Sequence, residues 1–348
     1  MIDKARLEEY LKGLFGGNTR LLEFSRLGAG VHGTGFLINM MTSSGERALV
    51  LKDLSGDGLG HDYPSDRASV FLLAMGNYNS LPMHIKSIDV AALREDGSVH
   101  SIGGGVEYYL LMEMARGVDY FKDLNAMAKK ASLDKGDIKK IELMTSYLAQ
   151  IHSIRKDSKT LYWRKLRDTI GHGECLMGVL DTYPEPSFAN YEDMAEIEKK
   201  CIDWIFRLKP MHNRLSQIHG DFHPGNIWFD GDTFTLLDRS RGPWGEPADD
   251  ITALTINYIF FSLNNLGKLK GPYYEAIKLF YDEYIKKTGD IDIYRVVAPF
   301  YAFRGVVVAN PIFYPDVSND NRERIFKFIN GVLEDTAFDV EKINNYLA

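Results

Sequence analysis

Apolar residues recur at three- and four-residue intervals in Leu7, Tyr10, Leu11 and Leu14. This is the stripe of an amphipathic helix that starts after Asp3 and stops at Gly16-Gly17. The period then shortens. Leu21 to Leu27, Phe36 to Met41 and Ala48 to Leu54 are short apolar-rich runs between glycine-rich breaks, a pattern that predicts three strands. Ser43-Ser44-Gly45-Glu46 is the expected hairpin turn between the last two. Helical spacing returns in Pro64 to Tyr78, with Val70, Phe71, Ala74 and Met75 on one face and Pro64 in the first turn. Ile85 to Leu93 and Val106 to Ala115 predict two further strands, and Arg94-Glu95-Asp96-Gly97 supplies turn chemistry after the first.

From about Asp119 the pattern is helical. Ile141, Met144, Leu148 and Ile151 lie on one face, and the segments starting near Tyr191, Ile251, Tyr273, Tyr294 and Arg322 are each long enough for a helix. Ile251 to Leu266 is the most apolar of them, but Asn257, Ser262, Asn264 and Asn265 interrupt it, as expected of a buried helix. The expected fold class is α+β: an antiparallel-sheet lobe over residues 1–115, then a mainly helical lobe over 116–348, joined near Glu113 to Gly117.

Composition narrows the functional classes. The chain has 348 residues, 45% hydrophobic and 26% charged, which is ordinary for an ordered globular protein. A net charge of -7 without a dense Lys/Arg stretch leaves no footprint for a nucleic-acid partner. No run of ~18 apolar residues marks a membrane span. Met1-Ile2-Asp3-Lys4-Ala5-Arg6 carries charge where a signal peptide turns apolar. Cys175 and Cys201 have no zinc-type neighbours and read as reduced thiols of a cytoplasmic protein. Nothing in the pattern sets an oligomeric state.

The chemistry concentrates in His219-Gly220-Asp221-Phe222-His223-Pro224-Gly225-Asn226. Pro224 and Gly225 suit a tight turn that folds Asn226 back beside Asp221. A carboxylate there can take a hydroxyl proton while the carboxamide holds a magnesium ion. Leu236-Leu237-Asp238 ends a short strand that follows Ile227-Trp228-Phe229 across the turn Asp230-Gly231-Asp232, which brings Asp238 back as a second oxygen ligand for Mg²⁺. Gly28-Ala29-Gly30-Val31-His32-Gly33-Thr34-Gly35 is either a plain hairpin loop or a phosphate cradle. Lys52, in an otherwise apolar strand, either reaches solvent or binds nucleotide phosphates, with Asp66 of the next helix as the acid expected to orient it. Met112-Glu113-Met114-Ala115 is either an ordinary strand end or an edge that meets adenine through its backbone.

In this order the pieces resemble the aminoglycoside phosphotransferase and choline kinase-like family, which has the protein kinase-like fold. The resemblance spans roughly residues 20 to 255 and is most specific over His219 to Asn226, Asp238 and Gly245-Glu246-Pro247-Ala248-Asp249-Asp250. It implies a two-lobed kinase that transfers the ATP γ-phosphate to a hydroxyl of a small molecule, GTP being the alternative donor. It makes Asp221 the catalytic base and gives Mg²⁺ to Asn226 and Asp238. Gly28, Gly30, Gly33 and Lys52 fall to the nucleotide phosphates, Glu113 and Ala115 to adenine, and Asp250 to steadying the catalytic loop. His223 either adds charge near the γ-phosphate or makes a structural hydrogen bond. Two rival readings are a protein kinase and a nucleotide-binding module without catalysis. Gly220, where protein kinases commonly carry an arginine, and the missing Ala-Pro-Glu signature speak against the first. Retention of acid, metal ligands and lysine speaks against the second.

Where relatives commonly place an aromatic residue after the metal-binding aspartate, this chain has Arg239-Ser240-Arg241. Either these arginines bind an acidic acceptor or they pair with neighbouring acids such as Glu246 or Asp249. Glu174, Tyr258 and Arg304 are further candidates for the acceptor wall, whereas His172 in its glycine-rich turn reads as a local hydrogen-bonder.

Overall fold

In the computed structural model, the Asp3 carboxylate accepts the Ala5 and Arg6 N–H groups and starts helix α1, Lys4–Phe15. This satisfies donors that a helix start leaves without partners. The structure describes residues 2–30, 33–56, 58–185 and 187–348, and the chain divides into two units, Met1–Met112 and Glu113–Ala348.

The first unit is built on strands β1 (Arg20–Gly30), β2 (Gly33–Thr42) and β3 (Gly45–Lys52), paired antiparallel in the order β1-β2-β3. Ile38 and Met40, two apart on β2, point to the same face and are buried against Leu7 and Leu11 of α1. Helix α2 occupies Pro64–Tyr78. Strands β4 (Ala91–Leu93) and β5 (Val99–Ser101) close a hairpin over the expected turn, where Gly97 N–H donates to Arg94 O.

Two strand expectations need correction. The run Ile85 to Leu93 is a strand only over Ala91–Leu93, and Val106 to Ala115 has no regular structure. Tyr109, Leu110, Leu111 and Met114 of that run are largely exposed. β-propensity is realised only against cross-strand and same-face neighbours, and this segment has no pairing strand among the described residues.

The second unit contains β6 (Val118–Asp119), α3 (Phe121–Met127), α4 (Lys135–His152), α5 (Lys159–Gly171), α6 (Leu176–Leu180), α7 (Tyr191–Leu208) and β7 (Ser216–Gln217). After these come β8 (Ile227–Asp230), β9 (Thr233–Leu236), β10 (Trp244–Gly245), α8 (Ala248–Leu266), α9 (Gly271–Thr288), α10 (Ala298–Ala309), α11 (Asn319–Glu334) and α12 (Ile343–Tyr346). The helix expected from Tyr294 therefore begins at Ala298, because Ile291–Arg295 forms a 3-10 turn. Helices α8 and α10 are buried almost all round, as their apolar composition requires. They form the centre around which the other helices pack. Two small sheets, β6-β8-β9 and β10-β7, carry the loops that hold the candidate chemistry. The architecture is the expected antiparallel sheet followed by a mainly helical region.

Candidate active site

The chain leaves β7 into His219-Gly220-Asp221, and Asp250 in the first turn of α8 fixes that loop. The Asp250 carboxylate accepts the His219 N–H at 2.8 Å and the Gly220 N–H at 2.7 Å. Its Oδ2 also meets His152 Nε2 at 3.1 Å, and the other ring nitrogen of His152 pairs with the Tyr284 hydroxyl. Gly220 has a φ of 88°, a left-handed backbone that favours glycine. This turns its carbonyl to Arg304 Nη2, which donates at 3.0 Å.

Pro224–Asn226 forms a short 3-10 turn. It returns Asn226 to the loop start, where Nδ2 donates to Asp221 O at 3.0 Å. The Leu237 N–H donates to Asn226 O at 2.9 Å, one step beyond the β8–β9 ladder, which delivers Asp238 beside the same turn. Asp238 adopts a φ of 54°. That is an unusual backbone for a non-glycine residue and one that marks a constrained position.

The electrostatics around Asp221 come from more distant residues. Arg304 on α10 donates through Nη1 to Asp221 Oδ1 at 2.6 Å and through Nη2 to Asp249 Oδ1 at 2.6 Å. Arg241 Nη1 reaches the same Asp221 oxygen at 3.2 Å. Lys165 Nζ of α5 pairs with Asp249 at 2.9 Å. Burial disfavours the Asp221 carboxylate, but Arg304, then Arg241, outweigh it and hold the group below its ordinary value. Asp221 is therefore ionised at neutral pH. His223 Nε2 lies 3.9 Å from Asp221 Oδ2, while its Nδ1 accepts the Gly225 N–H, so the ring proton sits on Nε2. Burial, aided by Arg304 and Arg241, keeps this imidazole below the usual range despite Asp221. At neutral pH His223 is a hydrogen-bonding group, not an added positive charge.

The donor set fits a hard divalent cation. Fixing Asn226 through Nδ2 leaves Oδ1 as its available oxygen, and the exposed Asp238 carboxylate makes no hydrogen bond or ion pair among the described residues. Two protein oxygens suit Mg²⁺, which keeps waters and phosphate oxygens in its remaining positions. Among the described residues no three His, Cys, Asp or Glu side chains converge as an all-protein metal cage.

The family model described as "Phosphotransferase enzyme family" matches residues 87–266, more than half of the chain. This chain belongs to the phosphotransferase enzyme family. Similar solved structures include choline kinase from Cryptosporidium parvum Iowa II, at 12% identity, 99% coverage of this chain and 93% of that chain, TM-score 0.35. An aminoglycoside phosphotransferase from Streptomyces rimosus matches at 13% identity, 87% and 99% coverage and TM-score 0.36. An amicoumacin kinase, in complex with AMP-PNP, Ca²⁺ and Ami, matches at 12% identity, 98% and 97% coverage and TM-score 0.42. A comparison with curated proteins gave no match.

Within this phosphotransferase the other sequence candidates fall in several settings. Gly28, Gly30 and Gly33 lie at the end of the β1–β2 hairpin, while Val31 and His32 are outside the described residues. A Cβ on Gly33 would sit 2.1 Å from Asp53 O, so this close backbone approach requires glycine. Lys52 is exposed opposite Gly35 and borders a cavity of about 660 Å³ in the first unit, lined also by Phe24, Phe36, Leu51 and Arg67. Asp66 is occupied as a helix cap, accepting the Tyr63 N–H at 2.7 Å, a structural duty not anticipated for it. Glu113 and Ala115 are in irregular backbone without backbone partners among the described residues.

Of the acceptor candidates, Tyr258 is corrected. It is fully buried, with its hydroxyl 3.1 Å from that of Tyr120, and faces the core. Arg239 spends Nε on Ile218 O and Nη2 on Pro243 O, which makes it a loop brace. Glu174 is exposed, its N–H donating to His172 Nδ1. Arg214, with Tyr162, takes up Glu246. Lys165 and His152 escaped the sequence reading, although each places a charged or titratable group on a buried helix face.

The cluster also predicts acid sensitivity. Burial pushes the Asp249 carboxyl up, but Lys165 and Arg304 overcome it and bring it down to about 2. A depressed carboxylate stabilises the fold above its unfolded pKa and loses that contribution as pH falls through the folded value. Unfolding free energy is therefore expected to drop between about pH 4 and pH 2, with about 2 kcal/mol from this group. Denaturant titrations of wild type and Asp249→Asn should diverge above that window and converge at its lower end, and parallel curves would refute this assignment.

Proposed function

We propose that this phosphotransferase is an ATP-dependent kinase acting on a hydroxyl of a small molecule. The observation that carries the reading is the closed turn in which Asn226 Nδ2 holds the Asp221 carbonyl. It leaves one ionised carboxylate beside two side chains, Asn226 and Asp238, whose oxygens have no hydrogen-bond partner among the described residues.

In this reading Asp221 is the catalytic residue that orients the acceptor hydroxyl and takes its proton. Its lowered pKa suits that task, because phosphoryl transfer has a loose transition state in which the attacking oxygen has formed little bond. The proton then leaves late, and orientation matters more than base strength. Asn226 and Asp238 would hold Mg²⁺, which when bound neutralises charge on the phosphates. His223, whose Nε2 lies 3.9 Å from Asp221 Oδ2, is assigned as a neutral hydrogen-bond donor beside it. Asp250 and Arg304 are positioning residues that fix the loop. Lys52 and the hairpin glycines are assigned to the nucleotide phosphates, and the Glu113 and Ala115 backbones to adenine, with GTP as the alternative donor.

The test is incubation with Mg-ATP and a pooled metabolite extract, followed by mass spectrometry for new species heavier by one phosphoryl group. A peptide pool is run in parallel. Phosphorylated metabolites are expected. Phosphorylated peptides alone would replace this reading with a protein kinase, and nucleotide binding with no product would replace it with a binding module.

A further inference from the structure

Resting on that kinase reading, we infer that Arg241 is the acceptor's anion subsite, and that the acceptor carries a carboxylate or a phosphate monoester near the hydroxyl that receives the phosphoryl group. Three cations, Lys165, Arg241 and Arg304, meet only two carboxylates, Asp221 and Asp249. Lys165 and Arg304 satisfy Asp249, and Arg304 satisfies Asp221. The cluster therefore holds one cation in excess, and no carboxylate in it is left for an ammonium group.

The excess cation is Arg241. Arg304 uses both guanidinium ends at 2.6 Å and is only 6% exposed. Arg241 makes one side-chain hydrogen bond, a 3.2 Å approach to an oxygen that Arg304 already occupies, and is 21% exposed. The Nε of Arg241 is enclosed with no hydrogen-bond partner, as is that of Arg304, so exposure and the looser contact are what set Arg241 apart. Its partial exposure leaves Arg241, not Arg304, within reach of an arriving oxyanion, and a guanidinium offers parallel donors that match a carboxylate or phosphate. Phe303 lies beneath both guanidinium groups, 5.4 Å from Arg241 and 4.5 Å from Arg304, a platform that keeps Arg241 beside Asp221.

This arrangement couples binding to chemistry. When the acceptor's oxyanion draws Arg241 onto itself, Asp221 Oδ1 loses its weaker partner and becomes available to the acceptor hydroxyl. A cationic acceptor would instead face Arg241 directly and meet repulsion.

The experiment supplies full-length protein and Mg-ATP with four acceptor arms: hydroxycarboxylates, hydroxylated phosphate monoesters, amino alcohols with amino sugars, and neutral polyols. Product is read by mass spectrometry, and acceptor KM and kcat are measured for wild type, Arg241→Gln and Arg241→Lys. Product is expected in a carboxylate or phosphate arm, and which of the two responds identifies the oxyanion. Arg241→Gln should raise acceptor KM by about 10- to 100-fold, the range for losing hydrogen bonds to a charged group. Arg241→Lys, which keeps the charge and loses the fork, should fall between. Product from the amine or polyol arms, or an anionic acceptor whose KM ignores both substitutions, overturns the inference and leaves the kinase reading standing. Absence of product in every arm overturns the kinase reading itself.

Discussion

Asp221→Asn is expected to lower kcat by about 10²- to 10⁴-fold, the usual contribution of a positioned proton acceptor. The substitution is nearly isosteric, so the loop should persist: the His219 and Gly220 N–H groups are held by Asp250, and Asn226 binds the Asp221 backbone carbonyl, not its side chain. What disappears is the negative charge that faces Arg304 and Arg241 and to which the proposed mechanism gives the hydroxyl proton. Single-turnover assays with saturating Mg-ATP isolate this chemical step, and calorimetry checks that nucleotide still binds. A loss of less than tenfold with nucleotide binding intact would remove Asp221 from the role assigned to it.

Arg304→Ala is expected to cost about 3 kcal/mol of stability, because it breaks into a buried ion cluster, leaving Asp249 to Lys165, Asp221 to the longer contact with Arg241, and the Gly220 carbonyl without its donor. Arg304 bridges Asp221, Asp249 and the Gly220 carbonyl, so three acceptors lose a partner together. At a few degrees per kcal/mol for a domain of this size, the melting temperature should fall by about 10 °C. Arg304→Lys should recover little, since an ammonium group cannot span two carboxylates as a planar fork does. The double variant Arg304→Met with Asp221→Asn should regain part of the loss, because it removes a buried carboxylate along with the cation and leaves Lys165 paired with Asp249. A melting temperature unchanged in Arg304→Ala would show that the cluster contributes nothing to stability.

The elements legible from sequence are those whose cause lies within a few residues. Asp3 and Gly16 bound α1 as their chemistry requires, and the β2–β3 turn falls within Ser43 to Glu46. Helix α2 runs over the expected Pro64–Tyr78. The Val106 to Ala115 run misled because its apolar composition satisfies a strand pattern while strand formation needs a partner. Lys165 was hidden for a related reason. It shares a buried helix face with Leu161, Tyr162 and Leu166, and only the distant Asp249 explains why a lysine belongs there. Arg304 carried a visible signal, a lone charge in Phe300 to Ala309, but that signal says only that a partner exists.

By itself, then, the sequence determined the order of sheet and helices and the octapeptide turn that joins Asp221 to Asn226, because periodicity, capping and turn chemistry act over a few bonds. Tertiary structure alone decided which charges surround Asp221: Arg304 lies 83 residues from Asp221 along the chain and 55 from Asp249, its other acid. Pairing over such separations follows from how α5, α8 and α10 pack, and the low polarity of that packed interior forces each buried charge to find its opposite.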